Sequence, residues 1–244
     1  MSLPVPAFNA LRIASPRDIL RIGIVAASGF RYSPVFDWER PDHEKYPEDT
    51  LLSYRQEFAS VIKSPEHVVL VAVDKYDPDE GKKSIAIIPP NNGAEIPAKG
   101  DEVVVGVACW KLEPGSKRVG EFQNDTGPYP PLPPNLDRDK NRAHCILFGD
   151  SAEAAEKKYF HGYSSMEMVV VHPAYWGRAH GGNLVKWGME LARIDKVKQG
   201  VIAAKMGRDL YSNLGWKEKA EVNLEGDEIV PQGVSVSVME YDPN

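Results

Sequence analysis

Cysteine is nearly absent from this 244-residue chain. Cys109 and Cys145 are its two copies, too few for a disulfide framework and without the paired spacing of a zinc site. No metal centre is therefore expected, and a reducing compartment, the cytoplasm, is the expected location. No apolar run approaches the ~20 residues of a membrane span. The opening Met1-Ser-Leu-Pro-Val-Pro6 has neither the basic region nor the apolar stretch of an export signal. A surplus of positive charge is missing too: 29 basic residues face 35 acidic ones, a formal charge of -6. That balance repels a phosphate backbone, and no basic patch overrides it. Neither nucleic acid nor membrane is an expected partner. No internal repeat is found.

The composition, 42% hydrophobic and 26% charged, is that of a globular protein, and the length fits one elaborated domain over residues 1–244. Leu11-Arg-Ile13 reads as a short strand. Ser15-Pro16-Arg-Asp18 follows as a helix cap with proline in the first turn. Ile19, Ile22, Val25, Ala26 and Phe30 recur at three- and four-residue intervals, which gives a helix one apolar face. Pro47-Glu-Asp-Thr50 opens a second helix that ends before Pro65. Between the two lies an aromatic-rich connection with Phe30, Tyr32, Phe36, Trp38 and Tyr46, suited either to cover the core or to line a pocket.

Val68–Val73 and Val103–Trp110 are β-branched runs and predict neighbouring strands. Residues 114–163 are read as an irregular insertion, since Pro128-Tyr-Pro-Pro-Leu-Pro-Pro134 favours extended backbone. After it, Met166–Val171 predicts a strand, Gly181–Ile194 a helix, Val201–Ala204 a strand and Gly207–Leu214 a short helix. Val234–Tyr241 supplies a last alternating strand. Strands and helices thus alternate through the C-terminal half, the pattern of an α/β fold.

The stretch Met168-Val-Val-Val-His-Pro-Ala-Tyr-Trp-Gly-Arg-Ala-His-Gly-Gly-Asn-Leu-Val-Lys-Trp-Gly188 carries the chemistry. It runs from a strand through a glycine-bearing turn into a helix, and free N–H groups at a helix N-terminus bind anions such as a diphosphate. This segment resembles the acetyl-CoA motif Q/R-x-x-G-x-G/A of the GNAT acetyltransferases, with Trp176, Ala179 and Gly181 at the three patterned positions. Trp176 and Ala179 depart from the pattern. Gly207-Arg-Asp-Leu-Tyr211-Ser-Asn-Leu-Gly-Trp216 resembles the family's G-x-x-L-Y-x-x-L-G-F signature.

The resemblance implies an α/β GNAT fold over residues 1–244, with a mixed, mostly antiparallel twisted sheet splayed between its fourth and fifth strands and flanked by helices. It also implies acetyl-CoA as co-substrate and transfer to a primary amine, by default that of a small molecule. A homodimer is compatible with it. The cofactor-binding positions implied are Val169, Val170, Val171, Trp176, Gly177, Arg178, Ala179, His180, Gly181, Gly182 and Asn183.

Amide formation needs a free amine, a donor for the thioester oxygen and a proton for the departing thiolate. Tyr211 matches the family tyrosine near the sulfur and is the candidate general acid. Glu167, four residues before Val171, is the candidate general base, because this sequence resembles spermidine/spermine-type GNAT enzymes in carrying a strand glutamate there, and strand alternation sends it to one face with Val169 and Val171; Glu121, His144, Asp150 and His172 are other acceptors. A main-chain N–H at Val169 or Val170 serves the oxyanion. Two rival readings stand beside this one. One is a GNAT-like binding module without catalysis, suggested by Trp176 and Ala179. The other is a GDS-type serine esterase, which Cys145-Ile-Leu-Phe-Gly-Asp-Ser151 resembles, although the Asp-x-x-His partner motif of those enzymes is missing.

Overall fold

A computed structural model describes residues 3–244. Its centre is a seven-stranded sheet in the order β1-β2-β3-β4-β5-β7-β6. The strands are β1 (Leu11–Ile13), β2 (His67–Lys75), β3 (Glu102–Lys111), β4 (Ser164–Val171), β5 (Gln199–Ala203), β6 (Lys217–Leu224) and β7 (Val234–Tyr241). Every neighbouring pair is antiparallel except β4 and β5, which run parallel. The β4–β5 ladder covers only Ser164–Met166 against Gln199–Val201. Beyond Met166 the two strands diverge, so the rest of β4 keeps one edge free of the sheet. The expected splay is present.

The apolar stripe read from Ile19 onward forms α1 (Ile19–Phe30), in which Ile19, Ile22, Val25 and Ala26 are fully buried. With α3 (Pro47–Lys63) it covers one face of the sheet, over Val69, Val71, Val107, Cys109 and Val170. The opposite face carries α5 (His180–Asp195), whose Leu184, Val185, Trp187 and Leu191 pack on Val68, Val105 and Met166. Tyr211, from α6 (Lys205–Asn213), joins the same cluster. Burial of side chains this size is worth ~1.5–3 kcal/mol each, so the sheet faces set where both helical layers sit.

Three elements depart from the sequence reading. The aromatic connection contains a short helix, α2 (Pro34–Glu39), whose N-cap Ser33 accepts a hydrogen bond from the Val35 N–H at 3.3 Å. The insertion is not irregular throughout, for α4 (Arg142–Tyr159) spans 18 residues, capped by the Asn141 side chain on Ala143 and His144. This helix has few buried residues of its own. It is held from outside: the His144 ring stacks on Trp38 at 3.8 Å and its Nε2 meets Asp227 Oδ2 at 2.6 Å. Ser151 lies within α4, so the strand and turn that a GDS-type nucleophile needs are not there. The third departure is β6, a charged edge strand in which only Ala220, Val222 and Leu224 mark the apolar period. Buried ion pairs also fasten the insertion. Arg40 meets Asp139 at 2.5 Å with both side chains nearly sealed from solvent, and Thr50 donates to the same carboxylate at 2.7 Å.

Candidate active site

The divergence of β4 from β5 opens a cleft of about 630 Å³. One wall is the free edge of β4, including Val169, Val170 and Val171, and the opposite wall is formed by β5 and α6. Gly29 brings the end of α1 close to this wall. A Cβ there would lie 2.3 Å from Val170 Cγ2 and 2.7 Å from the Val171 carbonyl oxygen, so any larger residue would push α1 away from the cleft.

At one end stand the turn before α5 and its first residues, with Trp176, Gly177, Ala179, His180, Gly181 and Gly182 all lining the cavity. No side chain caps this helix, which leaves its first N–H groups to the cleft, and the helix dipole adds positive potential there. Ala179, at the N-cap, holds φ 66°. An L-residue pays roughly 1–2 kcal/mol for that left-handed conformation, which is the physical reason the family pattern favours glycine here. Gly182 has open space where a Cβ would be.

Trp176 does not fill the turn. Its indole folds back, Nε1 donating to the Val171 carbonyl at 2.8 Å, and it packs edge-on against Tyr32 at 4.9 Å. Arg178 turns toward Asp74 at 3.0 Å and lies over the Tyr175 ring at 5.1 Å, outside the cavity lining. His180 lines the cavity but also reaches Asp74, Nε2 to Oδ2 at 3.0 Å. Asn183 is exposed and outside the lining. Arg178 and Asn183 therefore do not take the place of the missing Gln/Arg side chain in the cavity, where the lining at this end is the backbone of the turn with Trp176, Ala179 and His180.

The turn rests on a buried polar frame. Arg21 forms a two-pronged ion pair with Glu80 and donates to the Val104 carbonyl at 2.8 Å. The Tyr175 hydroxyl donates to Glu80 at 2.8 Å and accepts from the Asp77 N–H at 3.1 Å. Beside it His172, 1% exposed, accepts from the Ala174 N–H at 3.2 Å. Burial pushes its pKa down to about 4, so the ring is neutral. His172 is thus a structural acceptor. Glu121 is likewise engaged by Arg118 at 2.9 Å, and His144 is locked between Trp38 and Asp227.

Tyr211 lines the cleft; the residue is 2% exposed and its ring tilts against Trp216 at 5.1 Å. Gly207, one turn earlier, makes room: a Cβ there would be 3.3 Å from Tyr211 Cε2. Among the described residues no hydrogen bond involves the Tyr211 hydroxyl. Burial raises its pKa, which keeps the phenol protonated.

Glu167 stands at the far end with Phe148 of α4. Its orientation corrects the sequence reading. The β3–β4 register slips between Cys109 and Trp110, which pair with Met168 and Met166, so Glu167 is an unpaired bulge residue. Alternation is therefore interrupted. Val169 and Val171 face the α5 side, whereas Glu167 approaches Cys109 of the α1–α3 face, with the thiol donating to Oε2 at 3.7 Å. Its carboxylate also lies 3.3 Å from His67 Nε2. His67 escaped the sequence reading because it is 100 positions away and no local pattern marks it.

No protein-family model matches the sequence. A curated protein from the fungus Stachybotrys chartarum, named an acetyltransferase, is 34% identical over 240 residues, covering 98% of this chain and 93% of its own. The chain belongs to the GNAT acetyltransferases. Solved structures agree on the fold. A histone acetyltransferase HPA2-related acetyltransferase from Corynebacterium glutamicum has a TM-score of 0.53 at 15% identity, with 100% of this chain and 98% of the other covered. Arylalkylamine N-acetyltransferase 2 from Aedes aegypti has a TM-score of 0.52 at 14% identity over 96% and 98%. A phosphinothricin acetyltransferase from Sinorhizobium meliloti, solved with AcCoA, has a TM-score of 0.50 at 13% identity over 95% and 86%. Among the described residues of this GNAT protein, no helix is long and apolar enough to cross a membrane.

Proposed function

We propose that this protein is an acetyl-CoA-dependent N-acetyltransferase that moves an acetyl group to the primary amine of a small molecule. The observation that carries this reading is that one cleft holds an uncapped helix N-terminus, the unpartnered Tyr211 hydroxyl and the Glu167 carboxylate. The cavity also fits the co-substrate. The uncapped first turn of α5 suits a diphosphate, and the free edge of β4 offers main-chain partners to an extended amide-bearing arm. The Sinorhizobium relative's complex with AcCoA and the mosquito relative's arylalkylamine acceptor support the choice of donor and of acceptor class.

When bound, acetyl-CoA supplies an activated acyl carbon and a thiolate leaving group. His180 to Gly182 hold the diphosphate with their N–H groups. Val169, whose N–H faces the free edge while that of Val170 faces β3 as His172's does, offers an N–H to the thioester oxygen. Glu167 accepts a proton from the incoming ammonium, and Tyr211, kept protonated by its burial, donates one to the sulfur.

The test is release of free thiol from acetyl-CoA against a panel of amines, with Tyr211→Phe as control. The expected result is turnover with at least one amine and a kcat about 10²-fold lower in the variant, at little change in acetyl-CoA affinity. Acetyl-CoA binding without transfer to any amine would leave the fold as a binding module.

A further inference from the structure

The cavity passes from one face of the sheet to the other. Val169, Val171, Ala203 and Tyr211 line it from the α5 face. Met168 of β4 and Ile202 of β5 alternate with these neighbours, so they line it from the opposite face, where Met168 joins the α1–α3 cluster. Glu167 also approaches that second face, through its contact with Cys109. The first turn of α5 and Tyr211, which hold the diphosphate and serve the sulfur, belong to the first. The second face is left to the acceptor.

On that face the lining is apolar. Phe30 ends α1, Val35 lies in α2 and Phe148 in α4, and with Met168 and Ile202 they are half-buried. Five elements thus leave part of an apolar side chain to the cavity instead of to the core, the lining of a small-molecule site. Phe148 owes its place to His144, one turn earlier on the same side of α4. The His144 ring stacks on Trp38, its Nδ1 lies 2.7 Å from the Trp38 carbonyl oxygen, and its Nε2 meets Asp227. Phe148 and Val35 then pack together against Trp38, Val230 and Val234. Charge is sparse here. Glu167 is the one carboxylate among the described residues that line the cavity, and no lysine or arginine is among them. Glu57 of α3 and Glu156 of α4 lie outside the lining but near enough to feel its charge, which together with desolvation raises their pKa values. An ammonium group therefore has an anchor in Glu167, whereas a carboxylate on the acceptor meets only repulsion. A second ammonium beside Phe148 would lose its water and find no partner.

We infer that Phe148 is the specificity-determining residue of the acceptor site, holding the aliphatic or aromatic body of an amine that carries no second charge; the inference rests on the N-acetyltransferase reading. Phe148 touches the acceptor's body and not the reacting atoms. It comes from α4, in the stretch that lies outside the family resemblance, so the acceptor is chosen by a part of the chain separate from the turn that holds the co-substrate.

The experiment measures kcat/KM by thiol release for phenethylamine, ethylamine, butylamine, diaminobutane and phenylalanine, in wild type, Phe148→Ala and Phe148→Leu, with thermal melting to show that each is folded. Wild type is expected to favour phenethylamine over ethylamine about 100-fold and butylamine over diaminobutane about 10-fold or more, with phenylalanine nearly inert. Phe148→Ala should cut the phenethylamine-to-ethylamine ratio about 10-fold, through the amine's KM and at constant acetyl-CoA KM, and Phe148→Leu should keep most of the ratio. An unchanged ratio in Phe148→Ala, with both amines losing equally, would make the side chain structural alone and overturn the inference. A wild type that uses diaminobutane as well as butylamine, or phenylalanine as well as phenethylamine, overturns it too while sparing the N-acetyltransferase. A wild type silent toward every amine overturns both.

Discussion

At the α5 end of the cleft the groups facing the cavity are main-chain N–H donors of a turn and a helix start, whereas at the α4 end they are the side chain of Glu167 and, behind it, His67. Tyr211 lines the same cleft. The difference teaches where this sequence can drift. Main-chain donors survive a change of side chain, so Trp176 and Ala179 can replace the patterned Gln/Arg and Gly while the turn keeps its shape. A carboxylate in a bulge has no such tolerance, since a single-residue slip would move it to the other face.

This contrast can be broken or sharpened in four ways, in falling order of effect. Glu167→Gln should lower kcat about 10²- to 10⁴-fold with acetyl-CoA KM unchanged, and should flatten the acidic limb of the pH–rate profile; a surviving limb would remove Glu167 from the base's role. The second concerns the frame under the turn. His172 has a folded pKa of about 4 against an ordinary 6.5, so the unfolded chain takes the proton first. Its contribution is complete above pH 6.5 and is lost as pH falls toward 4, by roughly 3 kcal/mol. Melting curves should therefore show a steeper acid loss in wild type than in His172→Asn, and equal slopes would refute it.

The third, Trp176→Ala, removes the bond to the Val171 carbonyl and the contact with Tyr32. About a fivefold rise in acetyl-CoA KM at constant kcat is expected, and a fall in kcat instead would tie the two ends together. The smallest is Ala179→Gly. It relieves the left-handed backbone and should raise stability by roughly 0.5–1 kcal/mol, read as a higher midpoint in urea; a lower midpoint would mean that the alanine methyl packs usefully.

Much of the fold around the site was legible because it is local. The β-branched run ending at Val171, the glycine turn, the helix stripe from Leu184 to Leu191 and the Gly207–Trp216 signature each carry their own period. The edge strand β6 was hidden by its charges, α2 by its brevity, and α4 by the prolines upstream and by a helix held through Trp38 and Asp227 rather than by its own apolar face. Glu167 was picked as a residue but assigned to the wrong side, because alternation assumes an unbroken ladder.

The sequence by itself determined the strand–turn–helix with its uncapped first turn and the tyrosine that follows it, since both depend on residues within a few positions of one another. Only the tertiary structure decided which way Glu167 points, that Arg178 faces Asp74 instead of the cavity, and that His67 stands behind the carboxylate. Those facts depend on a register shift between strands more than 50 residues apart and on contacts between segments whose separation in sequence leaves no periodic trace.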